Sequence, residues 1–173
     1  MTIVYPGSFD PVTVGHVDIA CRALGFASRV IVAVLDNPSK QSLFSVQERV
    51  SFLREVLAGN DAIEVDSFRG MLVDYAFRKN ANAILRGVRN STDFEYEGKY
   101  AIYNAELSHG INGHKIETIF IPATPALTHV SASAIREAAA MIYPQNLDDS
   151  FIAKYVPASA HAALQRRYKQ IER

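Results

Sequence analysis

Short apolar segments alternate along the chain with longer segments whose apolar residues recur at helical spacing. The short segments predict five β-strands, at residues 2–5, 29–36, 62–68, 82–87 and 115–123. Between them, four amphipathic segments predict α-helices near residues 15–25, 45–58, 70–80 and 93–108. From about Ala134 the pattern is helical again, with an interruption at Pro144. Strands and helices therefore alternate up to this C-terminal helical region.

Strands that are apolar on both faces and separated by helices are typical of a parallel sheet that is covered on both sides. We therefore expect a doubly wound α/β fold, a five-stranded parallel Rossmann-like sheet with helices on both faces and a C-terminal helical extension. A length of 173 residues fits a single domain, residues 1–173. Ligands of such folds bind at the carboxyl ends of the strands. The loops at those ends are residues 5–16, 36–44, 67–72, 86–93 and 122–133.

Charge and cysteine content narrow the classes of partner and compartment. Lysine plus arginine equals aspartate plus glutamate, 18 each, so no overall field draws the protein to nucleic acid or to an anionic membrane. The single cysteine, Cys21, excludes an internal disulfide framework and is expected to be buried on the apolar face of the first helix. Neither a membrane-spanning run nor a signal-peptide pattern is visible, so we expect a cytoplasmic protein.

The first of these loops reads "YPGSFDPVTVGH" and joins the first strand to the first helix. Gly7 permits a tight turn or a close approach to a ligand. Gly15 and His16 stand near the start of the helix, where free N–H groups and the positive end of the dipole favour an anion. The loop has neither the GxGxxG nor the GxxxxGK[ST] pattern. His16 could donate to a phosphate or could simply stabilise the start of the helix.

Cationic residues follow the second and fourth strands. Lys40 lies in "DNPSKQSLF" and is either a phosphate ligand or a solvated loop lysine. Arg86 and Arg89 flank a glycine in "LRGVRN", and two guanidinium groups there suit a phosphate or a carboxylate. The alternative is that they pair with acidic residues just downstream. Those acidic residues are Asp93, Glu95 and Glu97.

Two later segments are explained by local structure, one as the start of a helix and the other as a surface turn. In "THVSASAIRE", Ser131 or Ser133 is a natural N-cap for the following helix, and its hydroxyl would point to the same edge as His16. The segment "SHGINGHK" at residues 108–115 has the composition of a surface turn. His109 and His114 in that segment lack further metal-type ligands nearby, which favours an exposed loop over a metal site.

Four segments together resemble those of bacterial phosphopantetheine adenylyltransferase, a family of the nucleotidyltransferase superfamily. These segments are "YPGSFDPVTVGH", "NPSK", "LRGVRNSTDFEYE" and "VSASAIRE". The first marks the superfamily, whereas "RGVRNSTDFEYE" is more particular to this enzyme. The resemblance implies transfer of the adenylyl group of ATP to 4′-phosphopantetheine in the presence of Mg²⁺, giving dephospho-coenzyme A and pyrophosphate. It also implies that the protein forms a homohexamer and that this reaction is the penultimate step of coenzyme A biosynthesis.

The resemblance carries residue roles over position by position. His16 corresponds to the second histidine of the HxGH motif, with Thr13 at the first. The implied catalytic residues are His16 and Lys40. The implied phosphopantetheine ligands are Ser8, Lys40, Leu72 and Arg86. The implied ATP ligands are Ser8, Phe9, His16, Gly87, Val88, Arg89, Glu97, Leu127, Thr128, His129, Val130, Ser131, Ala132 and Ser133. The chain departs from the family's usual residues at Val14, Leu127 and Ala132.

The implied reaction explains why no Ser-His-Asp or Cys-His arrangement is visible. The attacking phosphate is already anionic, so the enzyme needs to align two phosphates and to stabilise charge on the α-phosphate and the departing pyrophosphate. His16 would donate to the α-phosphate and Lys40 would bridge the two phosphates. Arg86 would anchor the nucleophile, while Arg89 and the serine loop would hold the β- and γ-phosphates. The rival hypotheses are a nucleotidyltransferase for another acceptor and a sensor domain without catalysis.

Overall fold

A computed structural model describes residues 1–39, 41–112 and 115–169 of the chain. The strands are β1 (Thr2–Gly7), β2 (Arg29–Asp36), β3 (Ile63–Arg69), β4 (Ala83–Val88) and β5 (Glu117–Pro122). The α-helices are α1 (Val14–Ala23), α2 (Val46–Val56), α3 (Leu72–Arg78), α4 (Ser91–Asn112), α5 (Ala132–Ile142), α6 (Ser150–Tyr155) and α7 (Ala158–Lys169). A short 3₁₀ helix, Pro125–Leu127, precedes α5. In the described ranges, no helix is long and apolar enough to cross a membrane.

The five strands form one parallel sheet in the order β3-β2-β1-β4-β5, which confirms the predicted fold class. Ile3 of β1 pairs with Val30 of β2 on one side and with Ala83 of β4 on the other. The chain first adds strands on one side of β1 and then crosses to the other side, so strand order reverses between β1 and β4. A crevice at such a reversal is the usual ligand site of an open parallel sheet.

Apolar clusters cover both faces of the sheet, because neighbouring strand residues point to opposite sides. Ile3 and Leu85 belong to the larger cluster, which includes side chains from α1, α2 and α5 to α7. Val4 and Ile84 belong to the smaller one, to which α3 contributes Val73. Burial on both faces explains why these strands read as continuous apolar runs in the sequence.

Helix α4 is longer than predicted, and its last turns include part of the expected surface turn. Residues 108–112 are helical, so the prediction of a turn is wrong there, while His114 lies outside the described residues. Ser108 in this part of the helix is fully buried rather than at the surface, and its hydroxyl donates to the carbonyl of Ala105 at 2.9 Å. The same oxygen accepts from the N–H of Ile116 at 2.9 Å, which joins the end of the helix to the start of β5.

Cys21 is exposed, so the prediction that it is buried is wrong. The buried residues of α1 are Ile19, Ala20 and Ala23. At about 100° per residue, Cys21 lies roughly 200° around the helix from Ile19 and therefore outside the buried arc. The apolar character of cysteine does not by itself decide which face of a helix it occupies.

Candidate functional site

The side chain of Phe9 fills the inside of the turn between β1 and α1. Phe9 is only 2% exposed, and its backbone is left-handed at φ 48°, which is unusual for a residue other than glycine. A Cβ on Gly7 would lie 2.9 Å from Cζ of the Phe9 ring, so the glycine makes room for that ring. The ring meets Tyr5 and His16 edge-on, with centroids 5.5 and 5.1 Å apart. The ring of Phe9 therefore packs inside the turn, while Ser8 stays half-buried beside it.

His16 is held in one orientation by the residue that begins the helix. The backbone N–H of Thr13 donates to Nδ1 of His16 at 3.0 Å, and Oγ1 of Thr13 lies 3.1 Å from the same nitrogen. Because Nδ1 accepts, the neutral ring carries its proton on Nε2. Burial, and secondarily the positive charge of Arg89, lower the pKa of His16 to about 4. At neutral pH the side chain is thus an uncharged donor.

Both arginines that follow β4 pair with acidic residues of α4. Nε of Arg86 lies 3.2 Å from Oε2 of Glu97, and Nη1 of Arg86 donates to the carbonyl of Pro6 at 3.4 Å. Arg89 forms a bidentate pair with Asp93, at 2.6 Å from Nε to Oδ2 and 3.0 Å from Nη2 to Oδ1. The pairing alternative therefore holds for both. Their side chains remain 22% and 36% exposed, so each keeps surface that a ligand can reach.

Gly87 brings the end of β4 close to α1. A Cβ at this position would lie 3.1 Å from Cγ1 of Ile19 and 3.6 Å from the hydroxyl oxygen of Tyr5. A larger residue would push the strand and the helix apart. Gly87 thus keeps Arg86 and Val88 beside the helix that carries His16, and it is half-buried there, as Val88 is.

The N-terminus of α5 reaches the same turn. Oγ of Ser131 accepts from the N–H of Ala134 at 3.0 Å, which confirms Ser131 as the N-cap. Arg136, one turn into the helix, donates to the backbone carbonyl of Asp10 and, at 3.3 Å, to Oγ of Ser133. Arg136 was not among the residues that the sequence singled out, although it lies in the quoted "SAIRE". It ties the serine loop to the turn after β1.

Several side chains of the loop before α5 are directed at the protein itself. Thr128 donates its hydroxyl to the carbonyl of Pro125 at 3.1 Å. The ring of His129 packs edge-on against Tyr155, with centroids 5.1 Å apart, and Val130 is only 5% exposed. Leu127 is half-buried against the larger core cluster, and Ala132 is the first residue of α5. These contacts fix the conformation of the loop, in which Thr128 and His129 remain exposed.

A polar contact joins α1 to the chain that leaves β5. Oδ2 of Asp18 accepts from the hydroxyl of Thr124 at 2.9 Å and from Nη1 of Arg22 at 3.2 Å. Arg22 also donates to the carbonyl of Pro122 at 2.8 Å. These contacts fix where the loop before α5 starts relative to the helix that carries His16.

The carboxylate of Asp10 connects the first loop to the second, and sequence reasoning missed its role. Asp10 is 5% exposed, and its two oxygens accept from the backbone N–H groups of Leu43 at 2.8 Å and Phe44 at 2.9 Å. A buried carboxylate is stable only when it is paired or hydrogen-bonded in this way.

Arg49 makes the matching set of contacts from α2. It is 3% exposed, and its Nε donates to the carbonyls of Phe44 and Ser45 at 3.1 and 3.3 Å. Its Nη1 donates to the carbonyls of Ser8 at 2.7 Å and Leu35 at 3.3 Å. A sequence signal existed, because Arg49 occupies a position on the apolar face of α2, next to buried side chains.

Two further implied site residues follow the second and third strands in the chain. Lys40 lies outside the described residues, so its position stays a prediction. Leu72 is half-buried at the first position of α3 and packs against the smaller core cluster. It follows the carboxyl end of β3, which is separated from β1 by β2. Leu72 therefore shares the edge of the sheet with the turn.

The carboxylates around the turn do not fit a magnesium ion held by the protein. Asp10 accepts two backbone N–H groups, while Asp93 and Glu97 pair with arginines. Among the residues that the structure describes, no group of three or more His, Cys, Asp or Glu side chains could hold a metal ion. Protein sites for Mg²⁺ commonly use few side chains and rely on substrate phosphates and water.

Comparisons with known proteins identify the family of the chain. Residues 4–138 match the family described as cytidylyltransferase-like, which defines the chain as a nucleotidyltransferase of that class. A solved structure with the same fold is the nicotinic acid mononucleotide adenylyltransferase of Plasmodium falciparum complexed with NaAD. The likeness covers 99% of this chain and 95% of that one, with a TM-score of 0.60 and 13% identity.

Curated relatives narrow the class. A phosphopantetheine adenylyltransferase of Caldanaerobacter subterraneus is 40% identical over 96% of this chain and 97% of its own length. One from Desulfosudis oleivorans is 48% identical over 79% of this chain and 78% of its own. One from Desulfatibacillum aliphaticivorans is 49% identical over 80% and 76%. The chain belongs to the phosphopantetheine adenylyltransferase family.

The state of His16 gives a direct prediction. In an NMR titration of the ring protons, His16 is expected to titrate near pH 4 rather than near its ordinary pKa of 6.5. Its resonance is assigned from the signal that is lost in His16→Gln. Because the unfolded chain binds the proton more readily, the stability contributed by neutral His16 is complete above about pH 6.5 and declines as pH falls towards 4. A midpoint near 6.5 would contradict the burial and the Thr13 contact.

Proposed function

We propose that the protein transfers the adenylyl group of ATP to 4′-phosphopantetheine, giving dephospho-coenzyme A and pyrophosphate. The names of its relatives, which match over 79% to 96% of the chain, support this proposal. The geometric observation that carries it is the convergence of a neutral donor, His16, with Arg86 and Arg89 at the reversal of strand order between β1 and β4. A site of this kind suits two phosphate groups.

We propose that the reaction is one direct in-line displacement without a covalent enzyme intermediate. A phosphate oxygen of phosphopantetheine attacks the α-phosphorus, and the bond from that phosphorus to the oxygen bridging to the β-phosphate breaks, so that pyrophosphate leaves. The Nε2–H of His16 would donate to an α-phosphate oxygen as negative charge increases there. A neutral imidazole serves this purpose at pH 7, since donation requires no prior protonation.

Other residues would bind the substrates. The proposed phosphopantetheine ligands are Ser8, Lys40, Leu72 and Arg86, with Lys40 bridging the attacking and attacked phosphates. The backbone of Phe9, the β4 end from Gly87 to Arg89, Glu97 and the loop from Leu127 to Ser133 would hold ATP. Because Arg86 and Arg89 pair with carboxylates in the free protein, ligand phosphates would share or replace those carboxylates. The acids thus pre-orient the guanidinium groups.

Mg²⁺ is expected to enter with ATP and to reduce repulsion among its phosphates. The carboxylates near the turn already have partners, so we propose that substrate phosphates and water supply most of its ligands. The proposed displacement does not depend on a protein ligand to Mg²⁺.

Pyrophosphate release tests the proposed function. Purified protein with ATP and Mg²⁺ is expected to release pyrophosphate with 4′-phosphopantetheine. It is expected to release little with nicotinamide mononucleotide, or with glycerol phosphate and CTP. Turnover with another acceptor alone would assign a different nucleotidyltransferase activity, and ATP binding without pyrophosphate from any acceptor would favour a sensor.

A His16→Ala preparation, purified identically, serves as the control for contaminating enzymes in this assay. Loss of one transition-state donor typically costs about 100- to 1000-fold in rate. We expect a decrease of that order with ATP affinity changed far less. His109→Ala, at an exposed position of α4, is the matched substitution and is expected to retain the wild-type rate. Near wild-type turnover in His16→Ala would remove His16 from the mechanism.

We also propose that the protein self-associates as a homohexamer, in line with the family resemblance. A cytoplasmic location stays a prediction. Helix α4 supports self-association because it exposes large apolar side chains. These are Phe94, Tyr96, Tyr100, Ile102, Tyr103 and Leu107, from 43% to 61% exposed. Light scattering is expected to give six times the chain mass of 19.1 kDa, and a monomeric mass would contradict the proposal.

A further inference from the structure

We propose that Arg49 is a positioning residue that sets the separation between the turn after β1 and the loop after β2. The inference rests on the proposed function, in which Ser8 of the turn and Lys40 of the loop both bind the substrate whose phosphate attacks. Arg49 would act through the backbone of these two segments and would not touch a substrate.

The guanidinium group of Arg49 joins three segments. Its Nη1 donates to Ser8, in the turn, and to Leu35, near the end of β2. Its Nε donates to Phe44 and Ser45, where the second loop ends and α2 begins. The loop from residue 36 to residue 44 is therefore fastened at both its ends to one side chain, which also fastens the turn.

Asp10 reinforces this arrangement from the opposite direction. Its carboxylate lies in the turn and accepts the N–H groups of Leu43 and Phe44, so carbonyls and N–H groups of the same loop end are both bound. Phe9, between Ser8 and Asp10, has left-handed backbone geometry. A non-glycine residue keeps such geometry only when its surroundings enforce it. Contacts on either side of Phe9 supply that enforcement.

Lysine cannot reproduce these contacts. Arginine presents several N–H groups from a planar fork, whereas lysine presents a single ammonium at the end of a flexible chain. An Arg49→Lys substitution keeps the positive charge near Asp10 but cannot reach four carbonyls in three segments at once. It therefore separates the charge of Arg49 from its geometry.

Kinetics of Arg49→Lys, measured below its melting transition, test the proposal. We expect kcat to fall about 100-fold, the effect of a small misalignment of reacting groups, while the dissociation constant of ATP stays nearly unchanged. Arg54→Lys is the matched control because Arg54 lies on the same helix and is exposed. Within the described part of the chain its side chain makes one hydrogen bond, to the carbonyl of Val65 at 3.4 Å. It is expected to behave as wild type. A folded Arg49→Lys with wild-type kcat, or a loss explained entirely by the unfolded fraction, would overturn the proposal.

Hydrogen exchange tests the same loop end without any substrate. The amides of Leu43 and Phe44, which donate to Asp10, are expected to be protected in the wild-type protein. They are expected to lose protection in Arg49→Lys, because that variant releases the carbonyls of Phe44 and Ser45 at the same loop end. If that variant does not fold, Arg49→Gln provides the comparison, and rapid exchange of both amides in the wild type overturns the proposal by itself. Absence of pyrophosphate from the wild-type enzyme would instead refute the proposed function, and the exchange result would still decide the role of Arg49.

Discussion

The burial of two charged side chains, Asp10 and Arg49, is the constraint on which the candidate site depends. Each charged group is almost completely removed from water, and each is hydrogen-bonded to backbone groups of other segments. An isolated buried charge would be costly, so both remain buried only while the turn after β1 and the loop before α2 stay together. Their burial therefore fixes the turn after β1 and the loop before α2 relative to each other at one side of the site.

Next to these two fixed segments, the site provides hydrogen-bond donors and cationic side chains. Thr13 orients His16 so that Nε2 carries the proton, and burial keeps that ring neutral at pH 7. Arg89 is close enough for its charge to lower the pKa of His16, and Arg86 contacts Pro6 of β1. Each arginine is held by a carboxylate of α4. These groups suit a reaction in which the substrate supplies the nucleophile and the protein stabilises negative charge at fixed positions.

Sequence patterns predicted the elements well because burial on both faces leaves a strong signal. The second strand has the predicted bounds, Arg29–Asp36, and the site loops lie at the expected ends of the strands. The prediction was wrong for Cys21, whose helical face depends on neighbouring residues, and for the end of α4, where Ser108 binds the backbone of Ile116. The roles of Asp10 and Arg49 depend on contacts between segments distant in sequence, so local patterns could not specify their partners. The pairing of Arg86 with Glu97 likewise depended on the position of α4.

The stereochemical course at the α-phosphorus tests the central claim of direct displacement most directly. The measurement uses one diastereomer of ATP with sulfur replacing a non-bridging α-phosphate oxygen, and it determines the configuration of the thiophosphate product formed from 4′-phosphopantetheine. One in-line attack inverts that centre. Our account predicts inversion. Retention would indicate two successive displacements through an adenylylated enzyme and would contradict it.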